Sequence, residues 1–204
     1  MNFMRAIFKP SDLTLRKLSS VFSKLFLPII IRPPVTKVNG RWETLVRADI
    51  IRFVDAWASE IHGDVLDVGG GCWDYPRTIL SNRCNYLLMD CVKSPQVDVV
   101  ADIHRLTDTF ETARFDFLLC FDVLEHVADP IRAARQMHAI LKPRGKLLLT
   151  IPFNYYLHST VTVPDLWRIT DQGLRHVLSD FAEVLIESKG PAQFPRSYLV
   201  VATK

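Results

Sequence analysis

The sequence predicts an α/β domain on a mainly parallel, doubly wound sheet, and three observations carry that reading. Short apolar runs alternate with helix-period segments from about residue 44 onward. The run Val65-Leu66-Asp67-Val68 ends in Gly69-Gly70-Gly71, the pattern of a buried parallel strand followed by a bend that lets a ligand approach the backbone. Carboxylates then end the next two predicted strands, Asp90 and Asp102, at the edge where open α/β sheets bind small molecules. Taken alone, the glycine cluster reads equally well as a plain turn between strand and helix.

At 204 residues and 49% hydrophobic composition the chain is long enough for one full core with an appendage and too short for two ordinary domains. The formal charge of +3 is unevenly spread: residues 1–40 hold seven Lys or Arg against Asp12 alone, +6, which leaves −3 for 41–204. A slightly acidic globular part lacks the basic face that duplex nucleic acid needs, so the expected substrate is a small or lipid-linked molecule and no nucleic acid. Cys72, Cys84, Cys91 and Cys120 are scattered without a CxxC pair and read as reduced thiols of a cytoplasmic protein. The six histidines show no short-spaced ligand cluster, so no metal site is expected.

In order along the chain, residues 1–31 interleave apolar and basic positions. From Asp12 on, Leu15, Leu18, Phe22 and Leu25 recur at steps of three and four, with Lys17 and Lys24 on another face. That is a basic amphipathic helix suited either to an anionic membrane surface or to capping the domain or a second copy. Pro28 interrupts the apolar run well short of a membrane span, and Arg32-Pro33-Pro34 marks a linker. The division is therefore an arm over 1–40 and a domain over 41–204, with no membrane-spanning or secretory segment expected. A helix follows from Thr44 to about Ile61, then a strand over about 64–69, a short helix after Pro76, and a second strand Tyr86 to Met89 ending at Asp90. A third strand is expected at Val97 to Ala101. The link before it is too short for the usual crossover helix, so either that helix is vestigial or the strand is barely one. Phe115 to Phe121 is the fourth strand. Asp129 with Pro130 starts a helix over about 130–141, and Lys142-Pro143-Arg144-Gly145 ends it and turns into a fifth strand, Lys146 to Ile151. After a loop-like 153–170 and a short helix over about 171–178, two closing strands, Glu183 to Glu187 and Tyr198 to Ala202, are joined by a hairpin over 188–197.

Four motifs in this order resemble the class I S-adenosylmethionine-dependent methyltransferases, in particular the methyltransferase-11-like group: Val65 to Gly71, Asp90 ending the second strand, Ala101-Asp102-Ile103, and Phe115-Asp116 through Val123-Leu124-Glu125-His126-Val127-Ala128-Asp129-Pro130. Leu141-Lys142-Pro143-Arg144-Gly145-Lys146 adds a fifth, and the likeness covers about residues 60–155. It implies a Rossmann-like, seven-stranded sheet with its last strand antiparallel, helices on both faces, and S-adenosyl-L-methionine as cofactor. On the matching positions it further implies that Gly69, Gly70 and Gly71 admit the amino acid part and ribose, and that Asp67 fixes the loop and meets the ammonium. Asp90, with Cys91 beside it, would take the ribose hydroxyls, Asp102 and Ile103 the adenine, and Cys120, Phe121 and Asp122 the methionine end. Trp73 stands where the group's pattern has a glycine, where its bulk could stack on the cofactor or fill part of its place. Tyr75-Pro76-Arg77 is similar to a variant of the group in which an aromatic and a proline follow the loop.

Methyl transfer from a sulfonium needs acceptor and methyl held in line, and a base only where the acceptor is a hydroxyl or carbon acid. His126 and His158 are the candidate bases. Tyr155, Tyr156, Trp167 and Arg168 fall in the segment that resembles the group's substrate-side loop; alternatively Trp167 is core packing and Arg168 pairs with Asp165. The function expected is methyl transfer to a small-molecule or lipid- or sugar-linked acceptor, with O-, N- and C-methylation open. The alternatives are a non-catalytic binding protein on the same fold and, less well matched, a nicotinamide dehydrogenase, which wants a third glycine where Asp74 stands.

Overall fold

A computed structural model describes residues 34–204, so the amphipathic arm expected over 1–31 lies outside the described residues. The described part opens with a feature the periodicity reading left unassigned: strands β1 (Val35–Val38) and β2 (Arg41–Thr44) form a hairpin. Its turn is Asn39-Gly40, both at positive φ (49° and 82°), the mirror-image turn whose twist matches that of paired strands. The division expected after residue 40 falls inside this turn.

Helix α1 (Leu45–Trp57) follows at once, with the Thr44 hydroxyl accepting from the Arg47 amide at 3.2 Å and so satisfying one of the free donors of its first turn. The remaining helices are α2 (Tyr75–Leu80), α3 (Pro130–Ile140) and α4 (Asp171–Val177). The strands β3 (Asp64–Val68), β4 (Asn85–Asp90), β5 (Val99–Val100), β6 (Phe115–Phe121), β7 (Leu141–Pro152), β8 (Glu183–Lys189) and β9 (Ser197–Thr203) form one sheet in the order β5-β4-β3-β6-β7-β9-β8. The first five are parallel, whereas β9 runs antiparallel to both β7 and β8. The strand order reverses beside β3, so a crevice opens between the carboxyl ends of β3 and β6.

Two packed layers explain why the central strands read as continuous apolar runs. Leu66, Leu118, Cys120, Leu147 and Leu149 point to the face covered by Ala133, Met137 and Ile140 of α3 and Leu174 of α4. Their neighbours Val65, Phe117, Leu119 and Leu148 point to the other face, against Phe53 of α1 and Leu80 of α2. Both faces of each strand are buried, so alternation gives way to a solid run. A bidentate pair between Arg196 and the buried Asp49 (2.7 and 3.2 Å) ties α1 to the start of β9.

Two sequence expectations change. The third strand shrinks to Val99–Val100. Val97 is buried without a ladder partner, and the Asp98 side chain takes over the pairing by accepting from the Leu88 amide at 2.8 Å. Nor does Lys142-Pro143-Arg144-Gly145 form a turn ahead of the fifth strand. It lies within β7 as an irregularity, Arg144 at φ 66°, with the β6 register slipping between Phe115 opposite Leu141 and Phe117 opposite Lys146. Among the described residues no helix is long and apolar enough to cross a membrane.

Candidate active site

A cleft of about 930 Å³ lies over the carboxyl ends of β3, β4 and β6, roofed by β2, the start of α1 and the segment after β7. Its first wall is the glycine bend. The Gly69 amide bonds to the Met89 carbonyl at 2.7 Å and its φ is 80°, so the chain leaves β3 by a sharp left-handed step that an L side chain resists. Gly70 and Gly71 are required by closeness: a Cβ would stand 2.6 Å from Asp67 Oδ2 and 2.5 Å from Asp90 Oδ2, respectively. The backbone thus lies directly against two carboxylates.

Asp67 is buried at 2% exposure and accepts from the Tyr86 hydroxyl. Burial pushes its carboxyl up to about 7, against which the Tyr86 hydrogen bond and the Arg77 charge act only in part. Tyr86 was not foreseen as a site residue, since on β4 it read only as strand. Asp90 accepts from the amides of Gly71 (3.0 Å) and Val92 (2.9 Å), one on each oxygen, which aims the carboxylate across the mouth of the bend. Asp102 caps a 3-10 turn through the His104 amide (2.9 Å), and this hydrogen bond together with the His104 side chain holds its carboxyl below the usual range. Ile103 beside it is nearly buried and lines the same end of the cleft.

Trp73 is turned onto the helix side. Its ring stacks on Tyr75 (5.6 Å between centroids, 16° between planes), the Arg47 guanidinium sits 4.3 Å above it, and it packs against the apolar face of α1 while bordering the cleft. Cys91 lines the cleft and is exposed, whereas Cys120 is wholly buried inside β6 and does not line it. Phe121 and Asp122 do line it, Asp122 with φ 54° and an Oδ1 that accepts from the Thr150 hydroxyl at 2.8 Å. Burial lifts the Asp122 carboxyl.

The opposite wall is built from residues far apart in sequence. His126, on a 3-10 turn after β6, donates from Nδ1 to the Pro164 carbonyl at 2.5 Å, an acceptor-only partner that fixes the tautomer. His158 offers Nδ1 to Asp165 Oδ2 at 3.1 Å and to the Tyr156 carbonyl at 3.2 Å, which fixes its tautomer in the same way. In the neutral rings both Nε2 atoms therefore carry a lone pair. Both point at Glu125, at 3.7 and 3.8 Å from its Oε1. Glu125 is fully buried, and burial, aided by nearby Asp122, drives its carboxyl well above the usual carboxylate range. Its backbone carbonyl accepts from the amides of Leu166 and Trp167 (2.7 and 3.2 Å), so the segment after β7 is pinned over this corner.

Tyr155 and Tyr156 line the cleft with rings 4.3 Å apart. Trp167 and Arg168 do not line it. Trp167 donates its indole N–H to the Val127 carbonyl at 2.8 Å. The Arg168 guanidinium is taken up by both oxygens of Asp165 (2.5 and 2.9 Å) and by the Tyr156 carbonyl, so it has no fork left to hold an anionic acceptor. Asp165, held below the usual carboxylate range chiefly by Arg168, instead orients His158.

Comparison with known proteins agrees with this fold. A family model described as a methyltransferase domain matches residues 41–184. The ubiquinone biosynthesis O-methyltransferase of Coxiella burnetii is 34% identical over 91 residues, 43% of this chain. The protein of the same description from Pseudomonas aeruginosa is 27% identical over 115 residues, 49% of each chain. The chain spans only about a third of the length of the Coxiella relative it matches (36%). Among solved structures, a SAM-dependent methyltransferase from Archaeoglobus fulgidus superposes with a TM-score of 0.62 at 14% identity, covering 78% of this chain and 93% of that one. The 1,6-didemethyltoxoflavin-N1-methyltransferase of Burkholderia thailandensis gives 0.61 at 18% identity, over 93% and 87%. At such identities the likeness is one of fold.

Proposed function

The chain belongs to the methyltransferase domain family, whose cofactor is S-adenosylmethionine, and on that premise we propose that it methylates a hydroxyl oxygen of a small aromatic acceptor. The observation that carries this reading is the pair of cleft-lining histidines, His126 and His158, each held through Nδ1 by an acceptor so that the neutral ring has Nε2 free to take a proton. A hydroxyl acceptor gives up a proton as it is methylated and so needs a base in reach, whereas an amine does not. The paired rings of Tyr155 and Tyr156 suit an aromatic body. The relatives described as O-methyltransferases support the same choice of atom.

The residues present fit the cofactor. The bare backbone of Gly69 to Gly71 would take its amino acid part, Asp67 the ammonium, Asp90 the two ribose hydroxyls, and Asp102 with Ile103 the adenine. When bound, S-adenosylmethionine supplies an electrophilic methyl on a sulfonium, whose carbon–sulfur bond breaks as the bond to the acceptor oxygen forms. This chain's part is positional: Asp90 and the bend fix the donor, Tyr155 and Tyr156 the acceptor, and a histidine Nε2 receives the hydroxyl proton. The basic amphipathic stretch over 1–31 supports an acceptor presented at a membrane surface, which flotation of the chain with anionic vesicles would test.

The test uses S-adenosylmethionine labelled in its methyl group, a panel of phenolic, quinol and amine acceptors, and mass spectrometry of the products. Label on oxygen is expected. Label on nitrogen or carbon, or no transfer while the cofactor binds, overturns the proposal.

A further inference from the structure

Glu125 has no part in the reaction just described, yet it is the most conspicuous polar group in the molecule. It is completely buried, and among the described residues neither of its carboxylate oxygens has a hydrogen-bond partner. Buried carboxylates are ordinarily paired, hydrogen-bonded or bound to a metal. The two rings that face it stand beyond hydrogen-bond reach of it. His126 and His158 turn Nδ1 toward Pro164 and Asp165, and the neutral rings so held present Nε2 lone pairs at 3.7 and 3.8 Å from Glu125 Oε1. Three atoms able to ligate a cation thus converge.

One ligand atom from each residue lies within 4.8 Å of the others. Nitrogen and oxygen ligands about 2.0–2.2 Å from a shared ion stand roughly 3.0–3.5 Å apart, so the two pairs to Glu125 need to close by about half an ångström and the widest spacing in the set by about an ångström more than that. The outer contacts are also those of a metal site: a ligating histidine normally gives its other N–H to a carbonyl or a carboxylate, here the Pro164 carbonyl for His126 and Asp165 for His158. Asp165 is in turn fixed by Arg168.

We infer that Glu125, His126 and His158 hold a divalent first-row transition ion at the floor of the acceptor end of the cleft. Two imidazoles and one carboxylate suit Zn²⁺, Co²⁺, Mn²⁺ or Fe²⁺, whereas Mg²⁺ and Ca²⁺ prefer oxygen ligands throughout. Both histidines line the cleft, so the open coordination position faces it. Resting on the methyl-transfer reading, that position would take the acceptor's hydroxyl oxygen. The ion would then acidify the hydroxyl, as it does a bound water, so that its proton passes to solvent water in the cleft and not to a histidine. The ion site itself does not depend on that reading.

The experiment titrates chelator-treated, full-length chain without a histidine tag with Co²⁺, followed by visible absorption, and with Zn²⁺ by calorimetry. One equivalent per chain is expected, with a saturable Co²⁺ spectrum. Glu125→Gln and His158→Ala should each weaken the affinity at least tenfold, and the double variant should abolish it. His158 is partly exposed, so its variant remains informative even where Glu125→Gln fails to fold. No saturable uptake by the folded chain overturns the inference, as does uptake that survives His158→Ala undiminished. A parallel titration with S-adenosylmethionine separates the two readings: cofactor binding without Co²⁺ uptake removes the ion site alone, and Co²⁺ uptake without cofactor binding removes the methyl-transfer reading alone.

Discussion

The two ends of the cleft are built on opposite plans. The donor end is made of contiguous runs at strand termini, and its carboxylates are satisfied by their own neighbours: Asp90 by the Gly71 and Val92 amides, Asp67 by Tyr86. The acceptor end is assembled across the fold from Glu125, His126, His158 and Asp165, and its central carboxylate is left bare. A site completed by its own backbone is preorganised for one fixed ligand, whereas a site with an unsatisfied centre needs something added before it is complete. The difference predicts which substitutions act on stability and cofactor affinity and which act on turnover.

The largest effect belongs to the donor-end carboxylate whose proton affinity is strongly displaced. The carboxyl of Asp67 is pushed up to about 7 from an unfolded value near 3.8. Between those values the folded chain binds the proton and the unfolded chain does not, so this group destabilises the fold progressively as pH rises from about 4 to 7. At about 1.4 kcal/mol per unit, the whole span is on the order of 4 kcal/mol. Urea unfolding from pH 4 to 8 should therefore show a downward slope in the wild type relative to Asp67→Asn; parallel curves would sink the assignment. The cofactor's ammonium would favour the charged form, so cofactor affinity should fall as pH drops below 7, and in Asp67→Asn it should not.

Next comes Asp90→Ala. Two charge-assisted bonds to ribose hydroxyls are worth roughly 1.5–3 kcal/mol each, so affinity for S-adenosylmethionine should drop a hundredfold or more by calorimetry. Glu125→Gln, at the other end, should leave it within about twofold. Equal losses from both variants would mean that the two ends are not energetically separable.

A smaller effect, and one on turnover alone, is expected from Asp165→Asn. Asp165 stays ionised well into acid because Arg168 holds its carboxyl below the usual range, so its hold on His158 does not change across the neutral range. Loss of such an orienting partner typically costs about 10–100-fold. The loss should fall on kcat, leaving cofactor affinity unchanged; a fall in cofactor affinity of the same size would place Asp165 in the donor end after all.

The same contrast governs how much was legible in the sequence. The donor end was readable because each part of it is a local pattern: an apolar run into glycines, then acids ending successive strands. The acceptor end was legible as separate residues, His126, His158, Tyr155 and Tyr156, and not as a constellation. His126 and His158 stand thirty-two positions apart, and what unites them is the pinning of Leu166 and Trp167 onto the Glu125 carbonyl, which no spacing announces. A metal site was therefore not expected from ligand spacing, although the fold brings three donors together. For Arg168 the sequence left two readings, a substrate-side role and a pair with Asp165, and the structure shows the pair. The strand at β5 was overestimated for a different reason: Val97 is buried by packing and not by pairing.

The first hairpin is the case in which a local signal was present and unread, and it yields the smallest prediction. Asn39-Gly40 is a strong hairpin dipeptide, and the turn it makes delivers Glu43 and Thr44 to the rim of the cleft and Thr44 to the cap of α1. At Gly40 the φ is 82° and a Cβ would meet nothing within 4 Å. Gly40→Ala thus isolates the conformational penalty from any clash, and about 1 kcal/mol of destabilisation is expected, a few degrees in the melting temperature. Because the hairpin touches the cleft only at its rim, cofactor affinity and turnover should both change less than twofold. A larger fall in either would show that the roof, which neither end of the cleft contains, helps to hold the two together.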